Sequence, residues 1–182
     1  MSTISYIKNF LKDPKVASIT PTSKYTVEKL CQYIDFRNNI RIMEYGPADG
    51  VFTRYFLDKM TLESELVAIE TNMDFVTSLN KVKDNRLTVF NESAEKASDI
   101  AGQLGWENVD YIVSGIPFSF LDDKTKHSIL EKSSEFISDD GAFLGYQTSA
   151  HLKPYLQKHF PKVTTEMEYR NLPPMCIYIA KK

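Results

Sequence analysis

From residue 40 onward, short apolar runs alternate with segments whose apolar residues recur every three or four positions. The runs predict strands at 40–45, 65–70, 86–91, 109–114 and 142–147, and the periodic segments predict helices at 51–60, 72–82, 94–104, 122–136 and 149–159. Two more strands, at about 162–169 and 175–181, follow closely on each other. Repeated strand–helix units form a parallel sheet with helices on both faces. The late pair can join only as an antiparallel hairpin at the sheet edge. The expected fold is therefore α/β: a Rossmann-like, seven-stranded, mostly parallel sheet with an antiparallel C-terminal hairpin. Asp139-Asp140-Gly141 is expected to be the turn into strand 142–147.

Ahead of this core the pattern is helical. In residues 3–12, Ile4, Ile7 and Leu11 share one face, with Tyr6 and Phe10 beside them and Lys8 and Lys12 nearby. Asp13-Pro14 ends that helix, because a residue before proline avoids the α region. Thr20-Pro21-Thr22-Ser23 supplies a turn and N-cap candidates for a second helix running to about Phe36. The expectation is one domain over 1–182. In it, an N-terminal helical extension (1–38) serves as a lid or membrane-facing element on a Rossmann-like core (39–182).

Composition narrows the setting. Hydrophobic residues make up 42 % of the 182 and charged residues 25 %, which suits a globular domain able to bury a full core. Cys31 and Cys176 are far apart and form neither a metal-ligand spacing nor a disulfide framework. His127, His151 and His159 make no metal motif, so no metal is expected. No signal peptide and no membrane span is expected, since no window approaches about 20 apolar residues. The default compartment is then the reducing cytoplasm. The net charge of −2 is uneven: residues 1–41 hold seven basic and three acidic residues, a net of +4, leaving −6 for the remainder. The acidic body argues against extended nucleic-acid binding. The basic N-terminal part can either face an anionic surface or be a solvated helix face.

The chemistry concentrates at the predicted carboxyl ends of the strands. Glu44-Tyr45-Gly46-Pro47-Ala48-Asp49-Gly50 joins strand 40–45 to helix 51–60. Glycines there let backbone approach a ligand, and the helix N-terminus presents free N–H groups. One strand later Glu70 stands where an acid can accept from a ribose diol. Further candidates follow the next strands: Asn91 to Glu95, and Ser114-Gly115-Ile116-Pro117-Phe118.

An acid before the glycine turn, an acid after the second strand and the later Gly-Ile-Pro-Phe together resemble the class I S-adenosylmethionine (SAM)-dependent methyltransferases. The resemblance implies SAM as cofactor. The turn with Glu44, Gly46 and Gly50 would lie along its methionine and ribose. Glu70, with Thr71 next to it, would take the ribose hydroxyls. Ser93 and Ala94 would border the adenine, and Ser114 and Gly115 would face the sulfonium. Many relatives carry Asp where Ser93 stands. Within the class the chain is similar to the bacterial soluble phospholipid N-methyltransferases, which methylate phosphatidylethanolamine. It shares Gly46-Pro47, Gly50-Val51-Phe52-Thr53, Ser114-Gly115-Ile116-Pro117 and Arg170-Asn171-Leu172-Pro173-Pro174. More distantly it resembles the rRNA adenine dimethylases, whose polar residue before Ile/Pro-Pro is replaced here by Gly115 and whose basic C-terminal domain is missing.

The implied acceptor is an amine-bearing lipid or a small molecule. Phe118, Tyr146 and His151 are the catalytic candidates: Phe118 as an aromatic wall for methylated ammonium, and Tyr146 or His151 to orient a head group or assist proton loss. Tyr25 and Phe120 are further wall candidates. Reversible membrane-surface contact would come through the N-terminal helix. An RNA adenine methyltransferase, a small-molecule methyltransferase and a module that binds SAM or lipid without turnover are the alternatives.

Overall fold

A computed structural model describes residues 22–182, so the expected helix over 3–12, its Asp13-Pro14 end and Thr20-Pro21 lie outside the described residues. Seven strands form one sheet: β1 (Arg41–Tyr45), β2 (Glu65–Ile69), β3 (Leu87–Phe90), β4 (Val109–Ser114), β5 (Ile137–Gln147), β6 (Lys162–Glu168) and β7 (Met175–Lys181). Their order is β3-β2-β1-β4-β5-β7-β6. The first five are parallel, and β7 pairs antiparallel with both β5 and β6. The helices are α1 (Lys24–Cys31), α2 (Val51–Lys59), α3 (Met73–Leu79), α4 (Ala97–Gln103), α5 (Asp123–Phe136) and α6 (Lys153–His159). The α/β class, the mostly parallel seven-stranded sheet and its antiparallel C-terminal hairpin are as expected. None of the described helices is long and apolar enough to cross a membrane.

The alternation of side chains along each strand feeds two cores. Along β5, Phe143 packs with Ile100, Leu130 and Leu156 on one face, while Leu144 packs with Leu30, Phe52 and Phe56 on the other. Each such side chain contributes about 1.5–3 kcal/mol by leaving water. Caps fix where the helices begin. Ser23, Asn72, Ser93 and Asp122 each accept a backbone N–H of the turn they open, a contribution of about 1 kcal/mol apiece.

Three boundaries differ from expectation. Helix α1 ends at Cys31, short of Phe36, although Ile34 beyond it is still buried in the core. The segments 94–104 and 149–159 open as 3₁₀ turns (Ala94–Lys96 and Ala150–Leu152) before becoming α-helical. Asp139-Asp140-Gly141 is not a turn before the strand but a bulge inside β5: pairing jumps from Val109↔Ile137 to Tyr111↔Ala142. Gly141 permits this, since a Cβ there would stand 2.5 Å from the Asp110 carbonyl oxygen.

The strand order reverses between β1 and β4. In open parallel sheets a ligand crevice forms outside the carboxyl ends of the strands at such a point.

Candidate active site

The loops after β1 and β4 are held side by side by continuations of the ladder. Gly46 N–H donates to Ile69 O and Gly115 N–H to Tyr45 O, both at 2.9 Å. Gly46, Ala48 and Gly50 have φ of 66°, 50° and 76°. Only alanine among them carries a Cβ into the left-handed region, at a cost of about 1–2 kcal/mol. The local reward is visible: with that backbone, Ala48 N–H reaches Glu70 Oε2 at 3.1 Å.

Glu70 is fixed from two sides. Its Oε1 accepts from Asn72 N–H at 2.8 Å. Asn91, just past β3, donates to the Glu70 and Thr71 carbonyls at 2.9 and 3.1 Å. Burial raises the Glu70 pKa, and the backbone N–H groups of Asn72 and Ala48 partly oppose it. Glu44 lies deeper. Its Oε2 accepts from Thr53 Oγ1 at 2.6 Å, and its buried Oε1 has no partner. Burial pushes its pKa up to about 8, against the Thr53 hydrogen bond and with help from Glu70. Neither carboxylate has an ion-pair partner among the described residues. Of the two, only Glu70 borders the cleft.

The cleft has two lobes that meet over Gly46, Gly115, Pro117 and Phe120. The larger, about 410 Å³, is bordered by Glu70, Thr71, Ser93, Ala94 and Phe75. The smaller, about 190 Å³, is bordered by Asp49, Phe52, Tyr146, Gln147 and Met175. Tyr146 stacks on Phe52 with ring centroids 4.6 Å apart. Its hydroxyl fills the space that a side chain at position 115 would need, and a Cβ on Gly115 would also stand 2.7 Å from Tyr146 Cζ.

Most of the expected residues gather here, in two layers. Gly46, Glu70, Thr71, Ser93, Ala94, Gly115 and Tyr146 border the cleft. Glu44, Gly50 and Ser114 lie behind it: Gly50 caps α2, and buried Ser114 accepts the Ile116 N–H at 3.4 Å. Ser93 is engaged in capping, accepting Glu95 N–H at 3.3 Å.

Three expectations are corrected. Phe118 is 0 % exposed and belongs to the core; Phe120, 59 % exposed, stands where the lobes meet. The 3₁₀ turn Phe118–Phe120, with three residues per turn, sends residues two apart to different sides. His151 is exposed and packs on Tyr155, centroids 5.2 Å apart, outside both lobes. Tyr25 lies against the Arg170 guanidinium at 4.4 Å, also outside. Gln147 was not singled out by sequence. It is buried at the wall of the smaller lobe with Nε2 unpartnered, and its only signature is an amide ending the apolar run 142–146.

No family model matches the chain. It is 23 % identical over 177 residues to an ornithine lipid N-methyltransferase of Singulisphaera acidiphila, covering 96 % of this chain and 92 % of that one. Among solved structures it resembles a precorrin-6y C5,15-methyltransferase from Geobacter metallireducens, with TM-score 0.71, 13 % identity, and 91 % and 94 % of the two chains covered. It also resembles a SAM-dependent O-methyltransferase from Thermotoga maritima, with TM-score 0.66, 13 % identity, and 100 % and 71 % covered. The fold is that of the class I SAM-dependent methyltransferases. The cleft fits SAM: its ribose diol matches the carboxylate acceptor of Glu70, fixed at the end of β2 on the wall of the larger lobe.

Proposed function

We propose that this protein N-methylates the amine head group of a lipid such as phosphatidylethanolamine, using SAM. The observation that carries this reading is the meeting of the two lobes over Gly115, beneath the Tyr146 hydroxyl. The larger lobe is sized and charged for the cofactor, and the smaller one opens beside aromatic and amide groups suited to an amine. The relationship to an ornithine lipid N-methyltransferase along almost the whole chain supports a lipid acceptor. Gly115, which lacks the polar side chain that orients an adenine amine, counts against RNA.

Bound SAM supplies an electrophilic methyl group on a sulfonium, open to in-line displacement. The chain contributes position and dryness. Glu70 accepts from the ribose hydroxyls, charge-assisted bonds of about 1.5–3 kcal/mol each. Thr71, Ser93 and Ala94 line the remainder of the larger lobe. A free primary ammonium has a pKa of about 10, so it must lose its proton, here to water at the open mouth of the lobe, before attack. Phe52, Tyr146 and Met175 disfavour the charged form by desolvation. The Tyr146 hydroxyl oxygen and the Gln147 amide oxygen accept the N–H groups of the amine, which leaves its lone pair free for attack. Phe120 and Tyr146 offer aromatic faces to a methylated ammonium, about 0.5–2 kcal/mol. The amphipathic stripe of residues 3–12 adds reversible membrane attachment.

The test is methyl transfer from labelled SAM to vesicles of phosphatidylethanolamine or ornithine lipid, with total RNA in a parallel tube. Label is expected in lipid and lost by at least a hundredfold in Glu70→Ala with its circular dichroism unchanged. Label in RNA alone, or in neither, would refute the lipid acceptor.

A further inference from the structure

The β6–β7 hairpin turns at the carboxyl edge of the sheet, because Gln147 at the end of β5 pairs with Cys176 near the start of β7. Its loop carries Tyr169 and Leu172, 76 % and 89 % exposed, and the exposed Pro173 and Pro174. Among the described residues six large hydrophobic side chains are exposed. Leu62 and Leu104 follow helices, at the opposite edge. Met73, Phe120, Tyr169 and Leu172 lie at the carboxyl edge, where the cleft opens. Met73 follows β2, far along the sheet from the hairpin, whereas Phe120 shares the smaller lobe with Met175, directly after the hairpin loop; contiguous exposed apolar side chains mark an interaction surface and scattered ones do not.

The loop is built to hold those side chains outward. Between them Asn171 is buried. Its Oδ1 accepts from Ser23 N–H at 2.8 Å and Thr26 Oγ1 at 3.1 Å, and its Nδ2 donates to Pro173 O at 2.8 Å. Arg170 is clamped by three hydrogen bonds to Glu168 and lies over Tyr25. The surface is continuous with the acceptor lobe, since Met175, directly after the loop, and Thr22, where the described chain begins, both line it. The 21 residues before Thr22, with the apolar stripe Ile4, Ile7, Leu11 and its lysines, join the described chain at this same place.

We propose that loop 169–174 and Phe120 form a docking surface for a lipid bilayer, seating the mouth of the smaller lobe on the head-group layer. The proposal rests on the lipid-acceptor reading for its purpose, though not for its test. Glu168 neutralises Arg170, so this contact works by insertion of apolar side chains rather than by attraction to anionic lipid. It therefore persists at high salt, where surface charge is screened.

The experiment uses the full chain and the double variant Tyr169→Ser/Leu172→Ser. Both are mixed, without SAM, with phosphatidylethanolamine–phosphatidylcholine vesicles in 0.5 M salt, an ionic strength that shortens screening to about 4 Å. Co-sedimentation is expected to fall at least tenfold in the variant. Turnover of a short-chain, monomeric phosphatidylethanolamine is expected to stay within twofold. Wild type that does not sediment with vesicles, or a variant that sediments equally, overturns the proposal. So does a variant with unchanged partitioning but a lowered melting temperature or a lost dimer, which would assign the loop to residues 1–21 or to a second copy. Vesicle binding by wild type with no lipid methylated would refute the lipid acceptor and leave the docking surface standing.

Discussion

At the scale of single residues, Glu44 couples the site to proton concentration. Its folded pKa is about 8 against an ordinary 4.5, raised chiefly by burial. Between those values the folded protein holds a proton that the unfolded chain has released. Stability from this group is therefore full below about pH 4.5, falls as pH rises, and levels off above about 8. The slope is at most about 1.4 kcal/mol per pH unit. Glu44→Gln keeps an acceptor for Thr53 Oγ1 and has no charge to bury. Urea unfolding at pH 5, 6.5 and 8.5, without cofactor, is expected to show the wild type losing stability relative to the variant as pH rises. Parallel curves would mean that Glu44 is ionised in the fold throughout. The residue scale is also where sequence was least informative. Glu70 and Gly46 were legible because each follows a strand end by a fixed offset. Phe118 and Phe120 were not separable, because a 3₁₀ turn, unlike a strand or an α-helix, leaves no periodic pattern long enough to tell inside from outside.

At the scale of elements, the two glycine loops work as a pair, and Gly115 is the one that sequence alone could not explain. Its φ is not among the positive ones, so the constraint is space: Tyr146 from β5 occupies the place of its side chain. Gly115→Ala is expected to push the Tyr146 ring aside, lowering kcat/KM for the amine acceptor by tenfold or more. SAM affinity, measured calorimetrically, should change less, because Glu70 is untouched and the added Cβ meets the β1 loop only at Gly46 O, 3.1 Å away. An equal loss in both would place Tyr146 outside the acceptor lobe's function. Strand and helix order was readable from periodicity because β1, β2, β4 and the second half of β5 are buried on both faces and the helices keep a 3.6-residue stripe. The bulge at 139–141 was not. Asp-Asp-Gly has turn composition, and only the neighbouring carbonyl of Asp110 makes the glycine serve a strand instead.

At the scale of the molecule, one amide joins the first described residues to the last hairpin. Asn171 binds Ser23 and Thr26 at the start of α1 across 148 and 145 positions of sequence, and it does so in a buried setting beside the acceptor lobe. That link holds α1 against β7, where Val27 and Leu30 meet Ile177 in the same core. It also sets the distance between Thr22 and Met175 on the lobe wall. Asn171→Ala removes both bonds: the half-buried Ser23 N–H loses its acceptor, at about 1–3 kcal/mol, while the Thr26 hydroxyl keeps only Ser23 Oγ, at 3.3 Å. The expected result is a loss of roughly 1–3 kcal/mol of unfolding free energy. The KM for the lipid acceptor should rise severalfold while that for SAM stays near wild type, since the larger lobe is framed by β1 to β4. Asn171→Asp, which keeps the acceptor oxygens toward Ser23 and Thr26 but loses the donor to Pro173, should recover most of the α1 docking. A variant pair that loses stability together without any shift of KM would confine Asn171 to holding the fold.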